Sequence, residues 1–463
     1  MGPDWSSLGT VWFSSEAYPF QILLLAGGIF LGAVLCQSVP SGQKRYLFRL
    51  FVIAYLSRIF ICYLLYFISC FSERVGAFLG ADDYVYMCDG LGISRLLDAG
   101  IPLDLLARNQ EIWISSRDGS FGYIMHLPFT MWNIFLFQWL GNHPLSALVT
   151  NCLIGALLIF ALFFMGMQLF GPRAGKIAAT LGAFYPSNFL WSTQDLKDPL
   201  FNLTIILMFL FFIRLRENHH FIYLILIGIT IYWAGLLRSP FQWVFLGLLT
   251  ATAVATERKV YKIIPFVFIL VLLFLPYFRE TAVSPVRLLV QQSQQFLSGG
   301  NELDSFNKGN QILAETQPPL ALGLLNKMRK DRQVGTAFLA NLEITNWGKL
   351  FCFLPVFLFA VLTVPYPWEA TNPMIALASM EMALWYFLIP ATLWGVWFGV
   401  RKRFSKSLCL LFPILSYAVF IGMIQNNVGL MVRFRGIVLL VLFVFTGVGL
   451  AYRKIKLGGQ LIS

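Results

Sequence analysis

The chain has 463 residues, of which 58% are hydrophobic and only 12% charged, and its mean hydropathy is +0.72. That leaves far too little polar surface for a water-soluble globule of this size, and the fold class expected is an all-α polytopic membrane protein. The formal net charge of +12 does not point to nucleic acid. The cations sit in short loops between apolar runs, the pattern set by membrane orientation and by anionic lipid.

The first apolar run, Pro19 to Cys36, has the length of a signal-peptide core. Asp4 and Glu16 precede it and no Lys or Arg does, so it reads as a retained first span. Further runs at 50–70, 144–170, 177–191, 199–213, 220–237, 241–256, 263–277, 374–400, 407–425 and 437–452 are long enough, or nearly so, to cross, which gives about 11 transmembrane helices. The loops 38–49, 171–176, 214–219, 257–262, 401–406 and 453–456 hold 17 Lys and Arg against only Glu217 and Glu257, which places them in the cytoplasm. A full crossing at 347–365 would put Arg401-Lys402-Arg403 on the opposite side. That run contains Pro355 and ends in Pro365-Tyr366-Pro367-Trp368, so it reads as interfacial or re-entrant.

The whole chain, 1–463, then forms a single membrane domain. Residues 1–70 carry the first two spans, 71–143 an outer loop, 144–277 a helical core, 278–346 a second outer loop or cap, and 347–463 the C-terminal helices. Within the first outer loop, Phe121 to Leu140 is rich in Trp, Phe and Met and contains Pro128, which suits a helix lying in the interface.

Four groups of residues on the outer side can carry chemistry. Asp82 and Asp83 follow soon after a span, at the depth where a lipid headgroup would present its reactive carbon. They read either as a solvated helix N-terminus or as a general base whose pKa is raised by like charge and partial desolvation. Asp195, Lys197 and Asp198 lie in a short turn between two spans. Asp198 with Pro199 can simply open a helix, or Lys197 can meet a phosphate and an Asp the acceptor or a metal. Arg238 ends a span, where snorkelling is the plain reading and bidentate contact with a lipid phosphate the sharp one. Arg433 and Arg435, at i and i+2, do not share one helix face, so one can meet a ligand while the other pairs elsewhere. Arg58 and Glu381 lie inside spans, Arg58 near enough to the inner end to snorkel. His126 and His143 read as capping or packing residues. A divalent metal ion held by Asp82, Asp83 and Asp198 is chemically compatible, but no spacing demands it.

The order of these features resembles the GT-C superfamily of integral membrane glycosyltransferases. The likeness is to bacterial relatives of protein O-mannosyltransferases and of the lipid A aminoarabinose transferase. It rests on the acidic outer loop, the aromatic interfacial helix, Leu169-Phe170-Gly171-Pro172-Arg173-Ala174-Gly175, Tyr185-Pro186-Ser187 and Lys197-Asp198-Pro199, and is confined mainly to 50–278. Pro365-Tyr366-Pro367-Trp368 and the Asn-rich turn before Arg433 are similar to membrane proteins of exopolysaccharide clusters. The resemblance implies a polyprenyl-phosphate-linked sugar donor entering from the outer leaflet of the cytoplasmic (inner) membrane, with a glycan, lipid or protein acceptor. It also implies that Asp82 or Asp83 is the catalytic acid of the first outer loop, Asp198 the second acid and Arg238 a phosphate contact. Departures from the family pattern are an extra span before the acidic loop, paired aspartates in place of an Asp-Glu pair, and no large soluble domain after the last helix. Rival readings are a polysaccharide polymerase or ligase that uses Arg433, Arg435 and the patch Lys327 to Arg332 on a lipid-diphosphate glycan, and a lipid or sugar transporter lined by Arg58 and Glu381.

Overall fold

A computed structural model describes residues 18–71, 81–101, 123–218, 220–238, 241–256, 342–366, 373–425 and 427–457, with isolated positions 322, 325, 326 and 368. The expected span at 263–277, the Gln-rich stretch and the basic patch Lys327 to Arg332 lie outside the described residues. The helices are α1 (Tyr18–Gln37), α2 (Ser41–Phe71), α3 (Ala81–Asp98), α4 (Tyr123–Leu140), α5 (Pro144–Phe170), α6 (Pro172–Phe184), α7 (Pro186–Trp191), α8 (Asp198–Asn218), α9 (Phe221–Leu237), α10 (Phe241–Thr256), α11 (Trp347–Thr363), α12 (Pro373–Lys402), α13 (Phe404–Ile424) and α14 (Val428–Leu457). Among the described residues, α1, α2, α5, α8, α12, α13 and α14 are long and apolar enough to cross a membrane, and α9 and α11 are shorter apolar helices.

The run expected to cross as one element at 177–191 is broken into α6 and α7. Pro186 has no N–H to give the Gly182 carbonyl one turn back, and the Asn188 side chain supplies it instead at 2.8 Å. The next carbonyl, Ala183, accepts from Arg58 at 2.8 Å. Arg58 also donates to Ser192 Oγ at 2.8 Å and to Ala54 O at 3.0 Å, and lies over the Phe189 ring. Its side chain is fully buried, which corrects the snorkelling reading. Arg58 fastens the break to α2, and with it the turn that leads to α8.

α5 and α14 form the centre of the described bundle, each with 83% of its apolar window buried, whereas α1, α2 and α12 bury 22–28%. α14 is apolar on every side from Ile437 to Phe445, as a helix enclosed by others must be. α12 runs parallel to it, since Glu381 meets Arg435, Trp385 meets Phe443, and Thr392 meets Thr446. Small residues allow this approach, as expected where lipid gives helices no hydrophobic reason to associate. A Cβ added at Gly395 would land on the Phe445 carbonyl, and one at Gly449 on that of Ala391.

α11, the run expected to be interfacial or re-entrant, packs between α13 and α12. Phe357 packs at Gly422, close to the end of α13, while the later residues Leu362 and Thr363 receive hydrogen bonds from Trp385 (2.9 Å) and Tyr386 (2.6 Å), well inside α12. The helix therefore enters beside the α13–α14 turn and stops part-way. Ser379, in α12, donates to the Tyr366 carbonyl at 3.3 Å.

The charged groups separate into two poles. Lys176 over Tyr46, Arg403 on the Leu169 carbonyl, and Lys406 with Glu217 tie together one set of helix ends. Asp83, Asp195, Asp198, Arg238 and Arg433 gather at the other.

Gly395→Val is expected to destabilise the protein by about 3 kcal/mol, because the α12–α14 backbones must separate. Gly27→Val, where an added Cβ meets nothing, should stay within about 0.5 kcal/mol. Unfolding midpoints of both variants in detergent, against wild type, measure the difference.

Candidate active site

Asp198 opens α8 and is 2% exposed. Its two oxygens are divided between arginines: Arg238, at the C-cap of α9, donates to Oδ1, and Arg433, in the second turn of α14, donates to Oδ2 from Nη2 at 2.9 Å and Nε at 3.3 Å. Arg238 is itself buried, with its guanidinium 4.3 Å from the Phe434 ring and 5.3 Å from that of Phe201, so it does not snorkel. Lys197 is close enough to act electrostatically on Asp198 and lies 5.8 Å from the Tyr86 ring on α3. Three cations from three elements thus surround one carboxylate.

A second acidic pair adjoins them. Asp83, in the first turn of α3, is 2% exposed, and Asp195 is 1% exposed. Asn133, on the buried face of α4, donates to Asp195 Oδ2 at 2.6 Å. Burial first, then the like charge of Asp83, pushes the Asp195 carboxyl well above the usual carboxylate range, against the pull of the Asn133 hydrogen bond. The turn itself is held by Asn151 of α5, whose amide donates to the Gln194 carbonyl at 2.8 Å and the Leu196 carbonyl at 3.0 Å. The side chain of Asp82 lies outside the described residues.

Arg435 turns the other way. Two positions along a helix rotate a side chain by about 200°, and its guanidinium is fully buried against the Val364 carbonyl and, at 3.8 Å, Glu381. It is not part of the Asp198 group, so the expected contact of Arg435 with substrate gives way to a link between α14, α12 and the end of α11. His143 caps α5 by accepting from the Leu145 N–H. Both Asp198 oxygens are taken by guanidiniums, which makes that carboxylate a poor metal ligand. Among the described residues, no three His, Cys, Asp or Glu side chains converge as a metal site.

Asn133, Asn151, Tyr86 and Phe434 were not singled out in the sequence. A signal was there for the two asparagines, each a lone amide in an apolar helix, where an unpaired polar group is costly. Tyr86 and Phe434 carry no such mark among so many aromatics.

Fold and site together define a multi-pass, all-helical membrane protein with buried acids and paired arginines at one pole. Residues 125–278, about a third of the chain, match the family model described as dolichyl-phosphate-mannose-protein mannosyltransferase. That stretch holds Asp195, Lys197, Asp198 and Arg238, and the match supports the likeness to GT-C membrane glycosyltransferases. Among solved structures, ArnT from Cupriavidus metallidurans bound to undecaprenyl phosphate aligns with 14% identity and a TM-score of 0.43, over 72% of this chain and 52% of that one. The archaeal oligosaccharyltransferase AglB from Archaeoglobus fulgidus, in complex with an inhibitory peptide and a dolichol-phosphate, aligns with 15% identity and a TM-score of 0.42, over 73% and 43%. The chain therefore spans about half the length of these structures or less. No curated protein matches it.

The raised Asp195 pKa has a direct consequence for stability. The folded state binds the proton more tightly than the unfolded chain, so this group favours folding most below its unfolded pKa of about 3.9, and that contribution falls as pH rises towards the folded value. Asp195→Asn keeps an acceptor for Asn133 and removes the titration. Its unfolding midpoint is expected to gain on wild type as pH rises above the unfolded value, until the folded carboxyl ionises, and a difference that stays constant over that range would mean that Asp195 is ionised throughout.

Proposed function

We propose that this protein is a membrane glycosyltransferase that moves a sugar from a polyprenyl-phosphate-linked donor to an acceptor hydroxyl at the outer face of the cytoplasmic membrane. The observation that carries the reading is the convergence of Arg238 and Arg433 on Asp198, beside the buried Asp83 and Asp195 pair. Burial and the like charge of Asp83 favour the protonated form of Asp195, and in this reading Asp83, of the pair Asp82 and Asp83, acts as the base. It takes the proton from the acceptor hydroxyl as that oxygen bonds to the anomeric carbon, while the bond from that carbon to the phosphate oxygen breaks and its electron pair leaves with the lipid phosphate. Arg238, Arg433 and Lys197 stabilise the negative charge that develops there. Asp198 then serves to aim two guanidiniums, a role different from that of a second acid. The outward orientation follows from the opposite pole, where Lys and Arg dominate the loops.

A transporter would keep Arg58 and Glu381 available along a path. Here Arg58 is committed to the α6–α7 break and Glu381 to Arg435. A polymerase or ligase relying on Arg433 and Arg435 together would need both in one site, and they lie on different faces of α14.

Purified protein in lipid, incubated with polyprenyl-phosphate sugars and acceptor glycans, is expected to release free polyprenyl phosphate. Asp83→Asn should abolish release while donor binding persists. Arg433→Ala should lower the rate on the order of 10²-fold, by analogy with loss of one oxyanion donor. Full activity of Asp83→Asn would remove the base, and uptake of lipid-linked sugar without release would favour a flippase.

A further inference from the structure

The Lys- and Arg-rich pole carries a second feature, independent of the reaction above. A cavity of about 210 Å³ lies between the ends of α5 and α8 and the start of α13. Leu169 and Ile213 give it apolar walls, and Arg216, Glu217, Ser405 and Lys406 give it charge and hydroxyl. Arg216 donates to Ser405 Oγ at 3.0 Å and reaches the Cys409 sulfur, which fixes the guanidinium at the cavity wall. Lys406 pairs with Glu217 at 2.6 Å, its side chain still 41% exposed, and Gln168 bonds the other oxygen of Glu217. Arg403 binds the Leu169 carbonyl next to the cavity, and Arg214 acts on Glu217 from the α8 side. Lys406 and Arg214 thus act on Glu217, while Arg216 at the cavity wall and Arg403 beside it are held by uncharged partners. The first turn of α13 adds no acid, so the local field favours a further anion.

We propose that this cavity binds the phosphate of an anionic phospholipid headgroup. A phosphodiester supplies a single negative charge to Arg216 and Lys406, and the apolar walls suit the glycerol and upper acyl carbons attached to it. Free phosphate has the same charge chemistry but gains nothing from Leu169 and Ile213. Basic pockets between helices at the cytoplasmic membrane surface are sites where anionic lipid concentrates.

The test is native mass spectrometry of the purified full chain mixed with phosphatidylglycerol or phosphatidylcholine. Wild type is expected to retain phosphatidylglycerol in preference to phosphatidylcholine. Lys406→Glu should weaken that retention about tenfold, and Lys406→Ala, which leaves Glu217 bonded to Gln168, by less. Lys44→Glu, at the same pole but outside the cavity, should leave it unchanged. Equal retention of the two lipids, or equal losses in Lys406→Glu and Lys44→Glu, would overturn the proposal. A parallel arm measures thermal stabilisation by inorganic phosphate. Stabilisation that is lost in Lys406→Glu, with lipid retention unaffected, would assign the cavity to free phosphate and overturn the headgroup.

Discussion

One carboxylate organises the upper half of this molecule. Asp198 accepts from Arg238 and Arg433, and so joins the start of α8, the end of α9 and the second turn of α14 at a single point. Removing it would take away the carboxylate to which both guanidiniums donate, that of Arg238 being buried, a change that costs several kcal/mol where water is excluded. Keeping it leaves three cations, Arg238, Arg433 and Lys197, around one carboxylate, while burial and the like charge of Asp83 favour the neutral form of Asp195. An anion brought to this spot meets donors whose orientation is already fixed, the condition under which electrostatic stabilisation is most effective.

The two acids on either side of Lys197 have become chemically different although they lie three residues apart. Asp198 faces guanidiniums, whereas Asp195 faces Asp83, an amide and apolar walls. The divergence comes from the path of the chain after Pro186. The break there brings Ser192 against Arg58, and Asn151 holds the carbonyls on both sides of Asp195. The proline, the buried arginine and the asparagine are part of the candidate site in the sense that they set which way each acid points.

The apolar runs of the described spans could be read from the sequence, because each depends on local composition. Asp83, Asp195, Lys197, Asp198, Arg238 and Arg433 were also visible, as charges at the ends of apolar runs. Which charge meets which was not. The split of Arg433 from Arg435 followed from helix geometry, but the Val364 and Glu381 partners of Arg435 come from segments more than 50 residues away. Arg58 looked like a residue reaching for water for the same reason, since its partners Ala183 and Ser192 are fixed only when α2 meets the α6–α7 break. The broken run at 177–191 was misjudged as one span because its apolar length outweighed the single proline.

The seam between α12 and α14 has a mechanical meaning. Where Gly395 and Gly449 let carbonyl and α-carbon touch directly, a slip of one helical turn, about 5.4 Å, would drive bulky side chains into the facing backbone. These two helices can only travel as one body, carrying Arg433 with them.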